Sequence, residues 1–112
     1  MKFGLILLVL GLVLASGCVS SEPPVGNSPE DAKAKCVYLC QFEKARGTDL
    51  TNGPCISDGS DDWEVPDWVC DVAHDPRLAV DNLMENQCED FRNGRANHFV
   101  EVNPECNFIK SV

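Results

Sequence analysis

Hydrophobic positions change rhythm several times along this chain. Residues 3–16 are an apolar run preceded by Lys2 and free of any other charge. From Pro29 to Arg46 the period becomes helical, with Ala32, Cys36, Leu39 and Cys40 on one face, which points that face to a core. Ser28-Pro29-Glu30-Asp31 supplies a cap, a first-turn proline and acids for the positive end of the dipole, and Gly47 supplies the stop. Residues 48–66 lose periodicity and carry Asn-Gly, Gly-Pro and Asp-Gly pairs, so they read as a long loop. "DWVCDVA", residues 67–73, alternates as a short strand with Trp68, Cys70 and Val72 on one face; a helical turn is the competing reading.

Further on, Leu83, Met84, Cys88 and Phe91 recur at helical spacing before Asn93-Gly94, which predicts a second helix over 81–94. Two β-rich runs flanking Asn103-Pro104-Glu105 predict a hairpin, with His98, Val100 and Val102 facing one way and Phe99 and Glu101 the other. The expected fold is a small α+β domain of two helices with a two- or three-stranded antiparallel sheet.

Cysteine adds covalent staples to that picture. The chain has 112 residues, room for one domain, and seven cysteines, an odd number. Cys36, Cys40, Cys55, Cys70, Cys88 and Cys106 form an even set of the kind that staples small exported domains whose cores are limited. Cys36 and Cys40 lie four apart on one helix face, where a bond between them would be strained, so each is expected to reach a different segment. The pairing expected here is Cys40 with Cys55, Cys36 with Cys88 and Cys70 with Cys106.

The seventh cysteine, Cys18, closes the apolar run. The stretch "LASGC" places Ala15-Ser16-Gly17 directly before it. This resembles the lipobox of bacterial and archaeal lipoproteins, with Leu14 one place ahead of the usual Leu position, as the looser archaeal pattern allows. The resemblance implies cleavage before Cys18, lipid on its thiol, and a chain anchored at the outer face of the cell membrane. The run is also too short for a permanent span, although an uncleaved anchor is the alternative. "VSSEPPVGNSP", residues 19–29, then has a tether's composition. The division expected is residues 1–17 as signal peptide, 18–28 as lipidated cysteine and tether, and 29–112 as the globular domain. Residues 50–110 also resemble a set of short Cys-rich exported archaeal proteins, which implies a kingdom and no activity.

Charge narrows the partners. Eighteen acidic residues stand against nine basic ones, and every acid lies beyond Cys18. That balance argues against nucleic acid and against adhesion to anionic lipid, and fits a solvated, mutually repelling surface.

Candidate chemistry is sparse. His74 and His98 are the two histidines, and with Asp75, Asp71 or Glu101 they form the general-base option. No Gly-x-Ser-x-Gly elbow, His-Glu-x-x-His motif or P-loop occurs. Zinc spacing is missing, since Cys36-x-x-x-Cys40 is its only trace. Asp58, Ser60, Asp62 and Glu64 alternate as oxygen ligands for calcium would, but Trp63 and Val69 stand where an EF-hand needs Gly and Glu. Trp63 and Trp68 flank this loop as candidate ligand-binding aromatics, with Trp68 expected in the core. No cofactor is expected. The sequence favours a noncatalytic module that binds an envelope protein, glycan or solute; the alternative is a small extracytoplasmic hydrolase using His74 and His98.

Overall fold

A computed structural model describes residues 26–112. The apolar segment, Cys18 and most of the expected tether lie outside the described residues.

Helix α1 spans Pro29–Ala45. Its start is a reciprocal capping box: Ser28 Oγ accepts the Asp31 N–H at 3.1 Å, and the Asp31 carboxylate accepts the Ser28 N–H at 3.4 Å. Its end is a Schellman turn, in which the Gly47 N–H donates to Lys44 O and the Thr48 N–H to Glu43 O. Gly47 sits there at φ 93°, a conformation that a side chain would strain.

Three strands follow: β1 at Trp68–Val72, β2 at His98–Val102 and β3 at Phe108–Ser111, adjacent in that order in one sheet. β2 and β3 form the expected antiparallel hairpin. Asn103 organises its turn, with Oδ1 accepting the N–H groups of Glu105 and Asn107. β1 and β2, however, run parallel, with Trp68 opposite His98 and Val72 opposite Val102. The sheet is therefore mixed, not antiparallel. Alternation reports which side of a strand is buried and says nothing of direction. Direction is set by the crossover, residues 73–97, which is long enough to return the chain to the end of the sheet where β1 begins.

That crossover replaces the expected helix over 81–94. It holds 3₁₀ turns at Ala79–Asn82 and Met84–Asn86 and a one-turn helix α2 at Glu89–Arg92. Extended residues at Leu83 and Gln87 break it into pieces. Leu83 and Met84 are exposed, so much of the apolar spacing marked no buried helical face.

The two sheet faces differ. Ala32, Cys36, Leu39 and Cys40 of α1 pack on Trp68, Cys70, Val72, Val100 and Val102 to make the main core. On the other face Val69, Cys88 and Ala96 make a smaller cluster with Cys55 and Phe99. Trp68 also ties down the chain entering α1, since its Nε1–H donates to Asn27 O at 3.0 Å.

All six expected cysteines are bonded, in different pairs: Cys36–Cys70, Cys40–Cys106 and Cys55–Cys88. The expected pairing is thus replaced throughout, although Cys36 and Cys40 do reach different segments. Cys70 shares the α1-facing side of β1 with Trp68 and Val72, which makes a helix cysteine its neighbour. Cys55 is carried past β1 by an isolated bridge to Asp71 and meets Cys88 there. Among the described residues no helix is long and apolar enough to cross a membrane.

Replacing both Cys36 and Cys70 by Ala should lower stability by about 2–5 kcal/mol. Ser28→Ala, which removes one cap acceptor, should cost about 1 kcal/mol. Urea midpoints of the two variants check this order.

Candidate functional site

Because side chains alternate along a strand, the face of β1 and β2 turned away from α1 carries Val69, Asp71, Phe99 and Glu101. Parallel register sets Asp71 directly beside Glu101. The crossover lays Arg77, Cys88, Phe91 and Arg92 over this face, and β3 contributes Lys110. Together they line a cavity of about 330 Å³.

Arg77 is fixed on three sides. Its Nη1 meets Glu101 Oε2 at 2.9 Å, its Nε–H donates to Asn82 Oδ1 at 2.9 Å, and Nη2 donates to Asp81 O at 3.2 Å. Phe91 and Phe99 meet edge to face with ring centres 5.1 Å apart, and Lys110 Nζ lies 5.9 Å from the Phe99 ring centre. Arg92 and Lys110 make no ion pair among the described residues. The chain has nine Lys and Arg against eighteen acids, yet three of those bases converge here beside two aromatic rings.

Asp71 is the unusual group in the cavity. Its Oδ1 is sealed from solvent and has no hydrogen-bond partner. Burial, then repulsion from Glu101, pushes its carboxyl up to about 8, against the pull of Arg77; the charges of Asp81 and Asp58 add to the rise. At neutral pH the cavity therefore holds a protonated carboxyl next to an ion-paired carboxylate.

Behind the cavity lies buried Asp81. Its carboxylate accepts the N–H groups of Leu78 and His74 and meets the His74 ring at Nδ1, 2.9 Å away. Burial alone would raise its pKa, but these hydrogen bonds and the attraction of His74 leave it lowered. The same carboxylate occupies the space a side chain at Gly53 would need.

The two histidines do not share a site. His98 is level with Trp68, on which it stacks at 4.7 Å, and its Nε2 faces Asp67 at 3.5 Å. His74 follows β1 at the other end, roughly 20 Å away at the 3.3 Å rise of a strand residue. The partner of His74 is Asp81, not Asp75, Asp71 or Glu101.

The acidic loop also disperses. Asp58 turns to α2, where its Oδ2 accepts the N–H groups of Glu89 and Asp90 at 2.6 and 3.2 Å. Ser60 Oγ accepts the Asp62 N–H. Among the described residues one cluster of three donors lies within 4.8 Å, and it is Cys55, Asp71 and Cys88, not the loop carboxylates. Its two sulfurs are bonded to each other, so the cluster presents no thiolate to an ion. Trp68 is buried, and Trp63 donates its Nε1–H to Trp68 O at 2.9 Å.

Asp71 and Glu101 carry alternation signals that place them on one face each, but their adjacency needs the parallel register. Arg77, Arg92, Lys110 and Asp81 had no sequence signal beyond charge. No family model, curated protein or solved structure matches this chain.

A carboxyl whose folded pKa stands above its ordinary 3.8 keeps a proton that the unfolded chain has lost. Its contribution is therefore greatest below about pH 4 and falls as pH rises to about 8, by at most roughly 1.4 kcal/mol per pH unit. Asp71→Asn, neutral throughout, should flatten this decline and exceed the unsubstituted protein in stability at about pH 8. Urea midpoints at about pH 5 and about pH 8 measure the difference.

Proposed function

We propose that this protein is an extracytoplasmic binding module, anchored at the outer face of the cell membrane through lipid on Cys18. Its ligand is a small anionic solute with an apolar or aromatic part, taken up in the cavity over β1–β3. The observation that carries the ligand class is the meeting of Arg77, Arg92 and Lys110 with Phe91 and Phe99 in an otherwise acidic chain. The rings offer apolar area, Arg92 and Lys110, without an ion pair among the described residues, attract an anion, and Arg77 is already held in place to orient it. The resemblance of "LASGC" to a lipobox supports the anchor, and the three disulfides support export to an oxidising compartment.

Two experiments test the two halves. Mass spectrometry of the exported chain should find it beginning at Cys18 with a lipid adduct, and Cys18→Ser should move it from the membrane fraction to the soluble fraction. An unmodified Cys18 in membrane-bound protein sinks the anchor. For the ligand, the anionic aromatic dye anilinonaphthalene sulfonate should bind the folded protein saturably at one site. Paired Arg92→Glu and Lys110→Glu should weaken it at least tenfold, about 1.4 kcal/mol, whereas Lys33→Glu with Lys35→Glu on α1 should not. Equal binding by both pairs rules the cavity out.

A further inference from the structure

We propose that Cys55–Cys88 is an exchangeable disulfide that oxidises a dithiol partner, with Asp71 donating the proton that the departing Cys88 sulfur takes up. This reaction goes beyond ligand binding and the anchor, although Asp71 and Cys88 line the ligand cavity, and it rests on three observations.

First, the three disulfides are not alike in access. Cys36, Cys70 and Cys40 are fully buried and Cys106, like Cys88, is 5% exposed, whereas Cys55 alone of the six is half-buried. Cys55–Cys88 lies on the sheet face turned away from α1 and spans the wall between two cavities. Cys88 lines the cationic cavity, and half-buried Cys55 lines a second, acidic one of about 400 Å³. An attacking thiolate therefore has a route to Cys55, with Cys88 as the leaving sulfur.

Second, a proton donor is in place. A carboxylate oxygen of Asp71 and the two sulfurs all lie within 4.8 Å of one another. That distance is spanned by one water, or by the sulfurs moving apart as their bond opens. Ser57, itself buried, adds a hydroxyl 3.6 Å from Cys55 Sγ and 3.9 Å from Cys88 Sγ.

Third, a purely structural disulfide has no use for such a neighbour. A carboxyl with one oxygen sealed and unpartnered weakens the fold, and groups kept at that cost concentrate where chemistry is done. Burial and Glu101 keep Asp71 protonated at neutral pH, ready to donate. The charges around it are Glu101 on β2, Arg77 and Asp81 on the crossover and Asp58 on the loop before β1, with Arg92 on α2 and Lys110 on β3 lining the same cavity.

The step balances. One thiolate of the partner dithiol attacks Cys55 Sγ, a mixed disulfide forms, and the Cys55–Cys88 bond breaks. Cys88 leaves as thiolate and takes the Asp71 proton, leaving a carboxylate. The partner's second thiol, on losing its proton to that carboxylate, attacks its own sulfur in the mixed disulfide. Cys55 is released as a thiolate and is protonated by water. Two electrons pass from the dithiol, which ends as a disulfide.

The test uses the oxidised full chain under native conditions with dithiothreitol as the dithiol, alkylation of released thiols and mass spectrometry. Cys55 and Cys88 should be released at least tenfold faster than the other four cysteines, and glutathione should leave its adduct on Cys55. The opening rate, divided by the concentration of reagent thiolate, should hold level up to about pH 8 and fall above it. Asp71→Asn should slow opening at least tenfold near pH 7 and abolish that fall. Earlier release of another pair, release of all six with loss of the fold, or a corrected rate without a fall above about pH 8 overturns the proposal. The pH profile of the unsubstituted protein decides even where Asp71→Asn fails to fold.

Discussion

Two sulfur bridges leaving one face of α1, four residues apart, set the frame on which everything else is arranged. Cys36 bonds β1 and Cys40 bonds the end of the β2–β3 turn. They close sequence separations of 34 and 66 residues, each worth about 4 kcal/mol of lost disorder in the unfolded chain. A domain this small buries too little apolar surface to hold a helix on a three-stranded sheet with much to spare. With the α1 face secured covalently, the opposite face of the sheet is released from the need to be wholly apolar.

What that face then carries is polar and charged at its centre. Asp71 and Glu101 lie side by side on adjacent strands, where like charges repel, and the pair persists because one is ion-paired to Arg77 and the other holds its proton. Buried Asp81 stiffens the crossover from behind by accepting the Leu78 and His74 N–H groups, and its backbone carbonyl helps to hold Arg77. The cavity, its cations and the disulfide beneath it are thus parts of one constrained layer.

Local signals in the sequence were sufficient wherever local chemistry decides the outcome. Ser28 and Gly47 bound α1, Asn103 turns the hairpin, and the alternation around Cys70 places Trp68 and Val72 on the core side. They were insufficient wherever long-range packing decides. Nothing in "HFVEV" states that it lies parallel to "WVCDV", and that direction alone brings Asp71 to Glu101 and separates His74 from His98. Leu83 and Met84 have helical spacing, yet the crossover must span the sheet and leaves them in solvent. The cysteine partners follow from the same facts: once Cys70 faces α1, Cys55 and Cys88 are left to each other across the other face.

The helix bridges also govern how the molecule bears load. Traced along the backbone, Gly26 to Val112 could be drawn out to roughly 300 Å. Through the Cys40–Cys106 bond the shortest covalent route uses only residues 26–40 and 106–112, roughly 75 Å when taut. Tension applied between the two ends of the domain thus bypasses β1, β2 and the crossover, and on the cavity side it loads only β3 with its Lys110. The hydrogen bonds between β1 and β2 are shielded from it, and the bonds that hold β3 to β2 take the strain first.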